Sequence, residues 1–342
     1  MPKKLVQTLS RVPGFGPAWI VYRQWADRFG RQARRLSLDS DRPRLLTLET
    51  SARCNFRCPK CANSLSKRPR GLMDVALAIS ALDQARELGI RSVVLSMGGE
   101  PLLHPELETI VAAARDRGLA PYFVTNAALL MPERARRLID AGLANLNVSF
   151  DGWDEESYRE RQVGGSLAQT LGNLRRFREL RGPNASPKLY SVTVLDSQSL
   201  PHVDRILDQL APVVDTLSFV PLMDFGFPGR RIDRALMLGE RSWRRTPCSL
   251  LWQDLAIGWD GRVTACCNDQ DYDLAYADLN RQSLREIWAS PALREWRRLH
   301  LAGNFGSMPL CGDCTIDYQK SFAHAWLCYR LGRRVAKKRR QD

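Results

Sequence analysis

The sequence predicts an α/β fold, a partial (β/α)6 TIM-like barrel followed by a small cysteine-rich extension. Three observations predict it. From residue 45 to residue 221, short apolar runs alternate with stretches of helical period, and after residue 222 the alternation stops. Nine cysteines fall in two groups, at 54–61 and beyond 247, and the 186 residues between Cys61 and Cys248 contain none. Strands alternating with helices imply a parallel sheet covered by helices. Six strands fall short of the eight that close a barrel, and the working end of such a sheet is the C-terminal edge of its strands.

Each element has its own reason. "LLTLET" (45–50) reads as a strand, and 74–88 as a helix with Val75, Ile79 and Leu82 on one face. "SVVLSM" (92–97) is an apolar strand ending at Gly98-Gly99. Residues 105–118 form a helix with Leu107, Ile110, Val111 and Ala114 inward and a glycine at its end. A strand at 121–126 is followed by a helix at 132–142, with Pro at its start and Gly at its stop. A strand at 145–152 leads to a helix at 166–180 that aligns Leu167, Leu171, Leu174 and Phe177. A strand at 188–195, a helix at 201–210 and a strand at 216–221 complete the series, and "MDFGFPGRR" reads as a linker. Further on, Asp260-Gly261 marks the turn of a hairpin and 283–300 reads as one helix.

Composition excludes several classes. The chain has 342 residues, 44% of them hydrophobic, enough for a large core. No run of 18 apolar residues exists, so no transmembrane helix is expected. The charged N-terminus lacks the apolar stretch of a secretory signal, so the expected location is the cytoplasm. Thiols stay reduced there, and clustered cysteines read as metal ligands rather than disulfides.

The first group, Cys54, Cys58 and Cys61 in "CNFRCPKC", follows the first strand directly. A zinc site takes four ligands and a disulfide framework takes an even number. Three thiolates suit three corners of a [4Fe–4S] cube whose fourth iron stays open to a small chelating molecule. Half a zinc site is the rival reading of the triplet alone.

Taken with "SMGGEPLLHP", "FVTNAALL" and "NVSFDGWDEESYRERQ" in that order, the run resembles the radical S-adenosylmethionine (radical SAM) superfamily over roughly residues 45–320. The resemblance implies that the open iron binds the amino and carboxylate groups of S-adenosylmethionine, and that reduction yields a 5′-deoxyadenosyl radical that abstracts hydrogen from a substrate. It implies contacts of Gly98, Gly99, Glu100 and Pro101 with the methionyl ammonium, and two glycines do let backbone approach closely. It places Ser149 and Asp151 at the ribose and Arg161 at the methionyl carboxylate. Asn126 would line the same pocket, and Phe56 and Val194 are candidates for the adenine. The residue before the third cysteine is commonly aromatic in the family, and here it is Lys60. Taken singly, the GGEP segment is an ordinary turn before a helix, and Ser149 and Asp151 are ordinary strand-end polar residues.

In the second group, Cys248, Cys266, Cys311 and Cys314 make a four-ligand set. Their context resembles the SPASM/twitch extension of radical SAM enzymes, which implies one auxiliary [4Fe–4S] cluster with no open iron and a role in electron transfer. Four cysteines also make a structural zinc set. Adjacent Cys266 and Cys267 cannot both point inward from a regular strand. Cys266 is the expected ligand, and Cys267 a bystander or a thiol that donates hydrogen in the substrate pocket. Cys328 reads as a packing residue, the four histidines as having no metal role, and the tryptophans at 252, 259, 288 and 296 as core.

The expected domains are 1–44, a basic amphipathic segment; 45–222, the partial barrel; 223–320, the auxiliary cluster domain; and 321–342, a basic tail. The expected function is a radical SAM oxidoreductase acting on a polyol, sugar, glycan or lipid-linked substrate, with a reductant such as flavodoxin or ferredoxin. A peptide maturase is the second expectation, ranked lower because 44 residues before the first strand are few for a peptide-recognition domain. A non-catalytic zinc or iron–sulfur module is the third. The +14 net charge resides in the two ends, which also carry aromatics at helical spacing: Tyr22, Trp25 and Phe29, in line with Ala18, and Phe322, Trp326 and Tyr329. Basic residues beside an aromatic face suit an anionic membrane surface, so peripheral contact with the cytoplasmic membrane face is expected. A solvated tail and a packed helix are the plainer alternative. With no basic groove in the core, nucleic acid is not an expected partner.

Overall fold

The structure, a computed structural model, describes residues 42–183, 186–226, 232–237 and 247–315. The expectations placed on residues 1–41 and 316–342, including Cys328 and both aromatic faces, lie outside the described residues.

Six strands lie side by side in chain order and all parallel: β1 (Leu45–Leu48), β2 (Ser92–Val94), β3 (Ala120–Thr125), β4 (Asn145–Ser149), β5 (Lys188–Leu195) and β6 (Thr216–Pro221). The sheet does not stop at β1. On its other edge β1 pairs in parallel with β7 (Asp254–Ile257), and β8 (Arg262–Thr264) and β9 (Ala275–Asp278) follow antiparallel, giving one nine-stranded sheet. The hairpin between β7 and β8 turns at Gly261, whose φ of 90° suits glycine.

The outer face of the parallel sheet is buried. Val93, Phe123, Leu146 and Val148 pack into one core with Leu82 of α2 (Val75–Glu87), Ile110 of α3 (Leu107–Asp116), Leu138 of α4 (Pro132–Asp140) and Leu174 and Phe177 of α6 (Leu167–Arg181). Each such side chain contributes roughly 1.5–3 kcal/mol of burial. Caps fix the helix starts: Asp74 accepts from the Ala76 and Leu77 amides at α2. The helix α7 (Val203–Leu210) adds Val203, Ile206, Leu207 and Leu210 to the same core.

The structure departs from several expected bounds: β1 ends at Leu48 and β4 at Ser149, short of residues 50 and 152. The strand β2 is shorter than 92–97: beyond Val94 the Leu95 amide still donates to Tyr122 O of β3 (2.8 Å), and the chain then enters the glycine turn. Two short helices are additional, α1 (Ala62–Leu65) and α5 (Glu155–Arg161). The polar run of α5 hides its period, and its signal was the capping box of Asp154 with Ser157. The segment 283–300 is two helices, α8 (Leu284–Trp288) and α9 (Pro291–Leu301), because Ser290 caps a new start at Pro291. The strand β9 was not foreseen. Trp252 and Trp288 are buried as expected.

Candidate active site and cysteine centres

The loop from β1 to α1 carries the first cysteines across the C-terminal edge of the sheet. Backbone bonds pin it: the Glu100 amide donates to Arg53 O (2.7 Å), the Arg57 amide to Val163 O (2.9 Å) and the Cys61 amide to Cys58 O (3.1 Å). Burial pushes the Cys54 thiol up to about 11 and the Cys58 thiol up to about 12, and each feels Cys61 as a further raising influence. These are three thiols close enough to oppose one another's ionisation, which a cationic centre between them would reverse. Among the described residues no three His, Cys, Asp or Glu side chains converge on a point for one ion. A cubane instead takes its cysteines at separate corners, so this wider arrangement could hold one.

Beside the triplet opens a cavity of about 290 Å³. Among its walls are Cys58, Cys61, Gly98, Ser149, Asp151, Arg161 and Val194. The other expected contacts stand behind that wall. Both oxygens of Glu100 are taken: Oε1 accepts from the Leu102 amide (3.0 Å) and Thr125 Oγ1 (2.6 Å), and Oε2 from the Asn126 amide (2.8 Å). Its carboxylate therefore ties the ends of β2 and β3 together instead of facing the cavity. Pro101 is buried in the short helix that follows. At Gly99 an added Cβ would lie 2.4 Å from Ser51 O and Arg53 O, so its glycine serves the approach of the cysteine loop. Asn126 donates through Nδ2 to Asn55 Oδ1 (2.9 Å) and so fastens that loop to β3. The Phe56 ring packs beneath Gly164 and Gly165, away from the cavity.

The cavity wall is charged. Asp196, fully buried at the end of β5, accepts from Lys60 Nζ and from Arg161 Nη2 (2.8 Å) through Oδ2. Its Oδ1 accepts from the Ser199 amide and Ser199 Oγ, both at 2.9 Å. Burial alone would raise this carboxyl, but the bonds from Lys60, Arg161 and Ser199 hold it at about 2. Burial dominates at Asp151, raising it to about 6 despite a bond from the Val194 amide and the nearby Arg161 and Lys60. Arg161 Nε is buried without a hydrogen-bond partner. A small anionic group in the cavity would supply one, so this wall fits the carboxylate of S-adenosylmethionine. The sequence did not point to Asp196, because its partner Lys60, a departure from an aromatic, lies 136 residues away.

The second centre is built differently. Cys248, Cys266, Cys311 and Cys314 come from three separated segments and line one apolar pocket with Leu251, Leu274 and Met308. Burial drives Cys266 well above the usual thiol range, with Cys267, Cys314 and Cys311 adding to it. The expected four-ligand set is brought together, and the donor chemistry fits a second cluster. His300 joins the same wall, where its Nδ1 accepts from the Cys248 amide (3.1 Å). Cys267 lines neither this pocket nor the cavity. Its thiol lies toward Asp254 and is raised mainly by burial, so its suggested place in the substrate pocket is not where the structure puts it.

Two features join the centres. Phe225 and Asn268 line both spaces, a single wall between them. Below it, buried Glu49 of the cysteine loop accepts from both Arg68 Nη atoms and from Tyr272 Oη (2.9 Å), while the Arg68 guanidinium lies 4.3 Å over the Tyr272 ring. No spacing in the sequence announced this bridge, because its members are 19 and 223 residues apart.

Residues 48–210 match the radical SAM superfamily, and residues 248–315 match an iron–sulfur cluster-binding domain known as SPASM. A GTP 3′,8-cyclase of Synechococcus is 44% identical over 117 residues, 33% of this chain and 33% of that protein. The chain thus spans about a third of that relative's length. Among solved structures, SuiB of Streptococcus suis bound to precursor peptide SuiA is 14% identical with a TM-score of 0.63, covering 87% of this chain and 75% of that one. BtrN in complex with AdoMet and 2-DOIA is 20% identical with a TM-score of 0.55, covering 80% and 92%. At these identities the structures speak for the fold. Among the described residues, no helix is long and apolar enough to cross a membrane.

Proposed function

We propose that this chain, which carries a radical SAM domain followed by an iron–sulfur cluster-binding domain, works as a radical enzyme that oxidises a small hydroxyl-rich substrate. The observation that carries this reading is the shared wall: among the described residues, Phe225 and Asn268 line both the open cavity beside the three cysteines and the four-cysteine pocket. When bound, a [4Fe–4S] cluster and S-adenosylmethionine supply a 5′-deoxyadenosyl radical, which takes one hydrogen atom from a substrate carbon. To complete a two-electron oxidation the substrate would then give up a proton and one more electron, and a cluster held by Cys248, Cys266, Cys311 and Cys314 would supply the acceptor for that electron.

The chain's own residues divide the remaining work. Cys54, Cys58 and Cys61 hold the first cluster. Cys248, Cys266, Cys311 and Cys314 hold one auxiliary cluster. Arg161, oriented by Asp196, binds the methionyl carboxylate, and the backbone at Gly98 meets the ammonium. Ser149 and Asp151 face the ribose and Val194 the adenine. Glu100, Pro101, Gly99, Asn126 and Phe56 shape this wall from behind. Asn268, a polar side chain in the cavity wall, suits a hydroxyl group. BtrN, the complex with 2-DOIA, supports a small-molecule substrate. The SuiB complex supports a second reading, a peptide substrate, since SuiB covers the larger share of this chain.

The test is anaerobic reconstitution with iron and sulfide, then incubation with S-adenosylmethionine and a reductant such as flavodoxin, ferredoxin or dithionite. About eight irons per chain and release of 5′-deoxyadenosine are expected. Zinc in place of iron in both centres overturns the reading. Deuterium transfer from a labelled cyclitol, as against a labelled peptide, decides between the substrate classes. Sedimentation with anionic vesicles tests the docking proposed for the basic ends, which should weaken with salt.

A further inference from the structure

The cavity is polarised. Its donors, Lys60 and Arg161, stand on the β5 side, and the opposite side at Gly98 meets an acceptor from outside the barrel. Gln270 reaches there from the loop after β8. It is 4% exposed and lines the cavity. Its backbone is held in place by Ser66 Oγ, which donates to Gln270 O (3.1 Å), and its Nε2 donates to Cys267 O (3.4 Å). That donor fixes the orientation of the amide and leaves Oε1 as the acceptor. Oε1 is buried and has no hydrogen-bond partner in the protein. It lies so close over Gly98 that an added Cβ would come within 1.9 Å of it, and 2.8 Å from Glu49 Oε1. Leaving such an oxygen unpaired is unfavourable, so a cationic N–H donor at this point satisfies a standing deficit.

We infer that Gln270 Oε1 accepts a hydrogen bond from the α-ammonium of S-adenosylmethionine, so that the cluster-binding extension completes the cofactor site of the barrel. The inference rests on the proposed use of this cavity for S-adenosylmethionine. A zwitterionic α-amino acid spans it with its carboxylate toward Arg161 and its ammonium beside Gly98, within reach of Gln270 Oε1. The glycine at 98 is then required twice, for the backbone's exposure and for the room that the Gln270 amide occupies.

Equilibrium dialysis of the reconstituted protein tests this with two probes, S-adenosylmethionine and its analogue lacking the α-amino group. Gln270→Met keeps the size of the side chain and removes the acceptor. It should weaken S-adenosylmethionine binding about tenfold, the worth of a charge-assisted bond, and change binding of the desamino analogue less than twofold. Equal losses for both probes, or no loss for either, overturn the inference while leaving the cofactor reading intact. Failure of the unaltered protein to bind S-adenosylmethionine overturns both. Gln270→Glu retains the acceptor and guards against a misfolded Met variant. It should hold S-adenosylmethionine at least as tightly as the parent chain, and a tenfold loss there refutes the assignment.

Discussion

The two cysteine centres differ in how the chain assembles them. The first takes three ligands from eight consecutive residues, on a loop that borders an open, charged cavity. The second gathers four from segments reaching from residue 248 to residue 314, around an apolar pocket. A local ligand set can leave one position free, because the loop needs to wrap only one side of its ligand. A set recruited from distant segments closes round its contents, and its formation waits on the fold. One geometry suits binding and reaction, the other passage of electrons.

The sharpest way to break that contrast is at the first centre. Cys58→Ala should abolish release of 5′-deoxyadenosine altogether, measured by chromatography after incubation with reductant. Persisting turnover would remove the first centre from the chemistry. Next in size is Cys311→Ala. It should halve the iron content of about eight per chain, while cleavage of S-adenosylmethionine continues without substrate oxidation. An undiminished iron count would show that the second set is drawn wrongly.

A smaller effect probes the charged wall that only the first centre has. Asp196→Asn frees Lys60 and Arg161 from their shared oxygen, and should raise KM for S-adenosylmethionine about tenfold with kcat within about threefold. The sign with pH follows from the same carboxylate. Its folded value of about 2 lies below 3.8, so its ion pairs contribute fully above about pH 4 and are lost as pH falls toward 2. The smallest effect lies beside the second centre. Burial raises Asp254 to about 7, against a bond from Thr47 Oγ1 (2.8 Å). Charging it in the folded state costs stability progressively from about pH 4 to pH 7. Asp254→Asn should therefore gain on the order of 1 kcal/mol at pH 8, about 2 °C in melting temperature, with the gain vanishing at pH 4.

The contrast also explains what the sequence could disclose. The barrel's strands and helices were legible because each repeats an apolar period over its own length. The cysteine triplet was legible because its spacing is local. Cys266 was preferred to Cys267 on the alternation of a strand, but both lie in the turn beyond β8, and it is this turn that leaves Cys266 lining the four-cysteine pocket. By contrast, nothing adjacent to Glu100 says that Thr125 and Asn126 will consume its oxygens, and nothing near Lys60 names Asp196. Phe56 looked available for an adenine because the paired glycines that cover it, at 164 and 165, are remote in sequence. The break at Pro291 was readable and was passed over in favour of an uninterrupted apolar period.

The pairing of β1 with β7 has a further consequence, for synthesis and for engineering. While the chain is being made, β1 and its neighbours β2–β6 are complete before β7 exists, and the outer edge of "LLTL" waits with its amides and carbonyls unmatched. An apolar strand edge left open in this way recruits other chains. The extension is therefore the cover of a sheet as well as the carrier of a cluster. A truncated protein ending before residue 247 should aggregate even if its cysteine triplet is loaded, and chimaeras that exchange the extension must preserve the register of Leu45–Leu48 against Asp254–Ile257.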